Sequence, residues 1–123
     1  HVILRGGSKP NYSKEDIDTT AEILKSNNLV ESIMVDMSHG NSSKQHKNQL
    51  IVCEDIANQI SSGESRITGV MIESNIEEGN QSAKDLDNLV YGKSITDACI
   101  NWEDTKICLN QLAEAVSARE NIA

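Results

Sequence analysis

Three side chains that can bind anions, protons or metal ions each follow a short apolar run of the sequence. They are Arg5 after residues 1–4, His39 after residues 32–37 and Glu73 after residues 67–72. A guanidinium suits an anion, whereas an imidazole and a carboxylate suit a divalent metal of the Mn, Fe, Co or Zn group. A further ligand is expected from the long polar segment 75–101. Spacing alone leaves four candidates open there: Asp85, Asp87, Asp97 and Cys99.

The three apolar runs are expected to be buried parallel strands, because they are rich in β-branched residues and show no polar alternation. A helical pattern follows each of the first two runs directly, and the third after segment 75–101. This order predicts an α/β fold with right-handed crossovers, either a doubly wound sheet or a (β/α)8 barrel. In both, the carboxyl ends of the strands form the active-site face. Arg5, His39 and Glu73 should therefore meet at one rim.

Each of these residues also has an ordinary structural interpretation when taken singly. Arg5 suits a surface salt bridge, His39 a hydrogen-bonded strand end, and Glu73 a pair with a lysine. Their joint placement after three consecutive strands is what favours a functional site. Lys44 is interpreted mainly as a solvated lysine, with anion binding as the alternative, and His46 is expected to be exposed.

The helices can be placed from their caps and apolar stripes. Ser13 with Asp16 predicts the start of the first helix, and Ser42 with Gln45 forms a capping-box pattern for the second. Residues 101–104 predict the start of the last helix, with Trp102 as a core aromatic. The expected buried stripes are Ile17, Ala21 and Leu24; Leu50, Cys53, Ala57 and Ile60; and Leu109, Leu112, Ala113 and Val116. Gly63 is expected to end the second helix.

Composition excludes several classes of function. The chain has 123 residues and a net charge of −8, so it is not expected to bind nucleic acid or an anionic membrane. No apolar run is long enough to span a bilayer. Its three cysteines are widely spaced and form no CxxC pair, which predicts reduced thiols and a cytoplasmic protein.

Several long motifs resemble one enzyme family. They are residues 1–7 (HVILRGG), 10–13 (PNYS), 36–44 (DMSHGNSSK), 69–74 (GVMIES), 78–82 (EGNQS) and 91–99 (YGKSITDAC). Together they resemble the last third of type I synthases of 3-deoxy-D-arabino-heptulosonate 7-phosphate (DAHP). The similarity extends from the first residue to the final helix and is weak only at residues 83–89.

The resemblance implies that residues 1–123 are the C-terminal segment of a single (β/α)8 TIM-barrel domain, holding βα units six to eight. It implies the metal-dependent condensation of phosphoenolpyruvate and erythrose 4-phosphate with water, which opens the shikimate route to aromatic amino acids. By motif match, His39, Glu73 and Asp97 would be metal ligands. Arg5 would bind phosphoenolpyruvate, and Arg5 and His39 would be the catalytic residues. The family's fourth metal ligand, a cysteine of the first barrel strand, lies outside these motifs. The resemblance also leads us to expect a homo-oligomer.

Two alternatives remain open at this point. The chain alone would be a non-catalytic remnant that only binds metal or associates, because three parallel strands cannot close a barrel. Alternatively, it would belong to the sister synthase that makes 3-deoxy-octulosonate 8-phosphate, although that family lacks the sequence motifs of residues 38–44 and 91–97.

Overall fold

The computed structural model describes residues 1–122, which form a parallel three-stranded sheet covered by helices. The elements in chain order are β1 (Val2–Leu4), α1 (Lys14–Ser26), β2 (Ile33–Asp36), α2 (Asn48–Ser61), β3 (Ile67–Met71) and α3 (Trp102–Glu120). Two short 3₁₀ turns lie at His39–Ser42 and Leu86–Asn88. The strands run in the order β1-β2-β3, with Leu4 beside Val35 and Val35 beside Val70. The predicted α/β fold with parallel strands is confirmed.

Helix α1 begins where its capping pattern predicts. The Ser13 side chain accepts a hydrogen bond from the Asp16 N–H, and the Asp16 carboxylate accepts one from the Ser13 N–H. These reciprocal bonds satisfy two donors that a helix start would otherwise leave without partners. The predicted buried stripe of α1 is also confirmed, since Ile17, Ala21 and Leu24 are all buried.

Helix α2 begins five residues later than its capping-box pattern predicts, since its N-cap is Lys47 and not Ser42, so that prediction is wrong. Ser42 ends the 3₁₀ turn, and its Oγ donates to the His39 carbonyl instead of capping a helix. Ser43 and Lys44 then adopt left-handed backbone angles, with φ values of 54° and 61°. A right-handed helix cannot pass through two such residues, so α2 starts only at Asn48. Gly63, with φ of 108°, follows the helix end as expected.

Helix α3 begins after Asn101, whose side chain accepts from the Asp104 N–H. The predicted buried stripe holds in part: Leu112 and Val116 pack against the core, whereas Leu109 and Ala113 are exposed. The fully buried residues of α3 are Thr105, Cys108 and Ala115. Trp102 is 52% exposed, so its prediction as a core aromatic is wrong. The reason is that α3 packs on α2 along one face, and the opposite face carries apolar residues with no described partner.

A charged network ties the helices together at the amino ends of the strands. The Glu64 carboxylate accepts hydrogen bonds from Nε and Nη2 of Arg66, at 2.8 and 2.7 Å, and Arg66 also pairs with Asp18 of α1. Arg119 of α3 donates to the Glu64 carbonyl at 2.9 Å. The Arg66 guanidinium lowers the pKa of Glu64, and the two carboxylates raise the pKa of Arg66. None of the described helices is long and apolar enough to cross a membrane.

Candidate metal centre and anion site

The four residues predicted for the site lie at the carboxyl ends of the strands, around one cleft of about 500 Å³. Arg5 follows β1, His39 follows β2, Glu73 follows β3, and Asp97 comes from the long segment before α3. Parallel strands deliver their carboxyl ends to the same edge, so residues far apart in sequence come together there. The expectation that they meet at one rim holds in the structure.

An imidazole and two carboxylates converge in this cleft. The Nε2 atom of His39 lies 3.1 Å from Glu73 Oε1 and 3.7 Å from Asp97 Oδ2. One donor atom from each of the three residues lies within 4.8 Å of the others. The Glu73 and His39 side chains are 20% and 29% exposed, whereas Asp97 is 71% exposed. One nitrogen and two carboxylate oxygens at this spacing are a donor set that a first-row divalent metal accepts.

The orientation of His39 is fixed from behind by a buried carboxylate. Its Nδ1 lies 2.7 Å from Asp36 Oδ2, and the other Asp36 oxygen accepts the Ser38 N–H at 2.8 Å. A carboxylate can only accept, so Asp36 holds the ring through Nδ1 and leaves Nε2, which faces Glu73 and Asp97, as the nitrogen that a metal would bind. His39 itself has a φ of 44°, a conformation rare for a residue with a side chain. This ring-to-carboxylate arrangement is the one that commonly supports metal-bound histidine.

Glu73 is held at both its side chain and its backbone. Ser38 Oγ donates to Glu73 Oε1 at 2.8 Å. The side-chain amide of Gln49, in the first turn of α2, bonds both the N–H and the C=O of Glu73, at 2.9 and 3.0 Å. Strand β3 has already ended at Met71, so these bonds replace ladder pairing beyond the strand.

The segment that carries Asp97 returns to the sheet and is tied down near its end. The Ile100 N–H donates to the Glu73 carbonyl at 3.1 Å, and Gly79 and Cys99 exchange backbone hydrogen bonds. Asn80 Nδ2 donates to the Thr96 carbonyl at 2.9 Å. These bonds bring Asp97 back over the cleft despite its distance in sequence from Glu73.

Cys99 lies beside this cluster but is not one of its three donors. Its burial, followed by the charge of Glu73, raises the pKa of Cys99, so the protonated thiol is favoured. A neutral thiol is a weak ligand and a weak nucleophile.

Two cationic side chains, Arg5 and Lys44, line the same cleft, and the His46 ring lines it as well. Arg5 forms no ion pair with any residue of the range 1–122, whereas His46 Nε2 lies 3.1 Å from Glu78 Oε2. His46 was expected to be exposed, but it is half-buried and faces the cleft. The side chain of Lys44 is exposed, as expected, yet its left-handed backbone places it at the cleft rim.

A close backbone contact sets the distance between the Arg5 and His39 segments. A Cβ atom on Gly40 would lie 2.6 Å from the Gly6 carbonyl carbon, and one on Gly6 would lie 2.4 Å from the Gly40 carbonyl carbon. Asn41 reinforces the contact, because its Nδ2 donates to the carbonyls of Leu4 and Asp36 at the ends of β1 and β2. Only glycine fits on either side of this contact.

A second cleft, of about 560 Å³, lies at the opposite end of the sheet. Two of its charged side chains, Glu64 and Arg66, are already paired with each other. It lacks the convergent nitrogen and oxygen donors of the first cleft, so the first is the better candidate site.

Comparison with known proteins agrees with the fold and the position of the motifs. Residues 1–110 match the DAHP synthetase I family. The chain belongs to that family. It is 55% identical over 119 residues to the Phe-sensitive phospho-2-dehydro-3-deoxyheptonate aldolase of Escherichia coli K12, covering 97% of this chain and 34% of that protein. It is 50% identical to the Trp-sensitive enzyme of Salmonella typhi, with the same coverage.

A solved structure of this family superposes closely. The phospho-2-dehydro-3-deoxyheptonate aldolase of Francisella tularensis SCHU S4 aligns with a TM-score of 0.92 at 48% identity, covering 97% of this chain and 35% of that one. The chain therefore spans about a third of the length of the DAHP synthetase I relatives it matches. The parallel sheet and its helices agree with the expected portion of a barrel.

Sequence reasoning on this DAHP synthetase I chain missed the residues that support the site. Asp36, Ser38 and Gln49 were not singled out, although each contacts His39 or Glu73. The motif stretch 36–44 contained a signal for Asp36 and Ser38, because both flank the histidine. No local signal marks Gln49, which reaches Glu73 only through the packing of α2 on β3.

Proposed function

We propose that this chain supplies part of the active site of a metal-dependent DAHP synthase. The reaction condenses phosphoenolpyruvate with erythrose 4-phosphate and water, giving DAHP and phosphate, as the first step of the shikimate pathway. The observation that carries this proposal is the convergence of His39, Glu73 and Asp97 in one cleft with Arg5, which has no ion pair among residues 1–122. Family membership and identities of 50–55% to named synthases support it.

In this proposal His39, Glu73 and Asp97 hold a divalent metal of the Mn, Fe, Co or Zn group. Their donor atoms fit such an ion in type and in spacing. The bound metal would act as a Lewis acid on the aldehyde of the tetrose phosphate. The side chains keep their donor atoms turned into the cleft, because Asp36 orients His39 and Ser38 orients Glu73.

Arg5 is proposed to bind the phosphoenolpyruvate anion. Its guanidinium is free of carboxylate partners within the described chain and can form two parallel hydrogen bonds to a phosphate or carboxylate. The chain carries a net charge of −8, so anion binding must depend on such locally placed cations. Lys44 at the cleft rim adds to the local positive charge.

The remaining functional expectations belong to the same proposal. Residues 1–123 would be one segment of a single barrel domain, with further anion-binding residues supplied by the rest of the barrel. We expect a homo-oligomeric enzyme of the cytoplasm, and the three free cysteines suit a reducing compartment.

A non-catalytic role for the isolated chain has one observation in its favour. The sheet has three strands, and Val2 and Ile3 on the edge strand β1 are 37% and 51% exposed. An open sheet leaves part of the active-site face and of the apolar surface uncovered. Catalysis is therefore assigned to the polypeptide with a complete barrel, not to these residues alone.

The test is a substrate comparison on the full-length polypeptide that contains this chain. Phosphate release from phosphoenolpyruvate should depend on erythrose 4-phosphate and should stop when a chelator removes the metal. Arabinose 5-phosphate serves as the competing acceptor. A preference for the pentose phosphate would instead assign the octulosonate synthase reaction, and turnover unaffected by chelation would contradict the metal centre.

A further inference from the structure

We propose that Gln49 is a positioning residue for the metal centre, a role that rests on the proposed function. Gln49 is fully buried, at 0% exposure, although its side chain is polar. Its amide oxygen accepts from the Glu73 N–H at 2.9 Å, and its amide nitrogen donates to the Glu73 C=O at 3.0 Å. Both polar ends of this buried amide are thus directed at the backbone of one residue.

The position of Glu73 in the chain explains why these two hydrogen bonds from the Gln49 amide are needed. Strand β3 ends at Met71, and the last ladder bond described between β2 and β3 joins Met37 to Met71. Beyond that point the Glu73 carbonyl is bonded by Ile100 at the isolated bridge between Ser74 and Ile100, but no described strand pairs with the Glu73 N–H. A buried backbone group without a partner is costly, so a side chain from α2 takes the place of a strand.

The same carbonyl joins Gln49 to the segment that carries Asp97. The Glu73 C=O accepts from the Gln49 amide at 3.0 Å and from the Ile100 N–H at 3.1 Å. Gln49 thereby fixes the acceptor to which the returning segment is bound. Loss of the amide would allow the Glu73 peptide to rotate and would shift both carboxylates relative to His39 Nε2.

Metal sites tolerate little such movement. Ligand atoms must be held within about 0.5 Å of the productive geometry, and loss of a residue that supports a ligand weakens metal affinity roughly 10–100-fold. Substitution of a residue needed only for folding would lower the free energy of unfolding and leave the metal affinity of the folded protein unchanged. Metal affinity measured on folded protein therefore separates the two roles.

Two substitutions disrupt the hydrogen bonds between the Gln49 side chain and the Glu73 backbone in different ways. Gln49→Met keeps a similar volume and removes both hydrogen bonds, and Gln49→Glu keeps the shape but in its ionised form has no donor for the Glu73 carbonyl. Gln59→Met is the matched control. Gln59 also lies on α2 and donates its amide to a backbone carbonyl, that of Tyr12 at 2.8 Å, but it does not line the cleft of the metal centre.

The experiment titrates Co²⁺ into the full-length polypeptide without substrates and records the dissociation constant and the visible absorption bands. We expect Gln49→Met to weaken Co²⁺ binding roughly 10–100-fold and to change the bands, since ligand geometry sets them. Gln59→Met should bind within about twofold of wild type, even where urea unfolding shows a comparable loss of stability. Where Gln49→Met does not fold, Gln49→Glu is used, and the same weaker Co²⁺ binding and changed bands are expected.

Two results would overturn the inference, and they differ in what else they remove. If the wild type binds Co²⁺ and a folded Gln49 variant binds it with the same affinity and the same absorption bands, the positioning role alone is rejected. Equal weakening by the Gln59 control would have the same meaning. Absence of Co²⁺ binding by the wild type would reject the proposed metal centre and this inference with it.

Discussion

At the scale of single residues, the site is a set of donor atoms held by buried polar neighbours. Asp36 orients the ring of His39 through Nδ1, and Ser38 donates to the carboxylate of Glu73. Asp97 differs from these, because its side chain is 71% exposed and no described neighbour fixes its carboxylate except the approach of His39. Asp97 is therefore the member of the set that most needs a bound cation to be ordered.

Asp97→Asn should remove a charged donor from the proposed centre without disturbing the core, because the residue is exposed. We expect the metal affinity of the full-length polypeptide to fall at least 10-fold, with stability unchanged within about 0.5 kcal/mol. Isothermal titration with Mn²⁺ measures the first, and urea unfolding the second. Asp85→Asn, at an exposed position of the same segment, is the control and should bind normally. Equal affinities in the two variants would show that the acid was wrongly chosen.

The choice of Asp97 shows how far the sequence alone could go at this scale. Spacing left Asp85, Asp87 and Cys99 as rivals, and only the resemblance favoured Asp97. In the structure Asp97 alone of these joins His39 and Glu73. The decisive cause is the set of backbone bonds from Gly79 and Glu73 that return the segment to the sheet, and no sequence pattern encodes those bonds.

At the scale of elements, strand ends and helix caps hold the site together. Strand positions and the cap of α1 followed from local patterns, because β-branched runs and the Ser13–Asp16 pair act locally. The start of α2 did not, because left-handed angles at Ser43 and Lys44 override a good capping pattern. Those angles arise where the chain turns around the contact between Gly6 and Gly40, which is a tertiary constraint.

Gly40→Ala should separate the Arg5 and His39 segments. Its new methyl group would lie 2.6 Å from the Gly6 carbonyl carbon and 2.8 Å from the Gly7 nitrogen, so the backbone must shift. Overpacking of this kind costs about 1–3 kcal/mol of unfolding free energy. We also expect weaker binding of phosphoenolpyruvate and of metal. Gly7→Ala is the control, since its methyl group meets no described atom within 4 Å; a similar loss there would remove the steric explanation.

Glu64→Gln tests the charged network that joins α1, α3 and the loop before β3. The Glu64 side chain is 7% exposed and its pKa is lowered from 4.5, chiefly by the Arg66 hydrogen bonds. A carboxyl group whose pKa is lowered by folding stabilises the folded state at pH values above its ordinary pKa. That stabilisation is lost as the pH falls through the folded-state pKa. The variant should lose roughly 1–3 kcal/mol at pH 7, and the difference from wild type should shrink below pH 4.5.

The control for this prediction is Glu103→Gln. Glu103 also pairs with a cation, Lys106 at 2.9 Å, but its side chain is 75% exposed. Exposed pairs contribute about 0–1 kcal/mol, so little change is expected in urea unfolding. A pH-independent loss in the Glu64 variant would mean that packing, and not charge, accounts for it.

At the scale of the whole molecule, the chain has the elements of a barrel portion and two open sheet edges. Its polar site faces one end of the strands, while apolar side chains such as Ile3 and Ile107 remain about half exposed. Exposed apolar surface and unpaired strand edges favour association with other strands. The buried stripe of α3 was predicted only in part for the same reason, since apolar periodicity does not tell which of two apolar faces the described residues cover.

The isolated 123-residue chain should therefore be inactive with both substrates and Mn²⁺, and it should self-associate. Phosphate release measures the first expectation, and light scattering the second. Turnover by the isolated chain, or a monodisperse monomer with sharp cooperative unfolding, would contradict the view that its edges need partners.

The most direct test of the central claim is a chimera. The segment of the Escherichia coli Phe-sensitive relative that aligns with this chain, 119 residues at 55% identity, is replaced by the present residues. If Arg5, His39, Glu73 and Asp97 form this chain's share of a DAHP synthase site, the folded chimera should condense phosphoenolpyruvate with erythrose 4-phosphate in a metal-dependent reaction. The same chimera with His39→Ala should be inactive. A folded chimera that binds no metal and releases no phosphate, beside an active parent enzyme, would contradict the account.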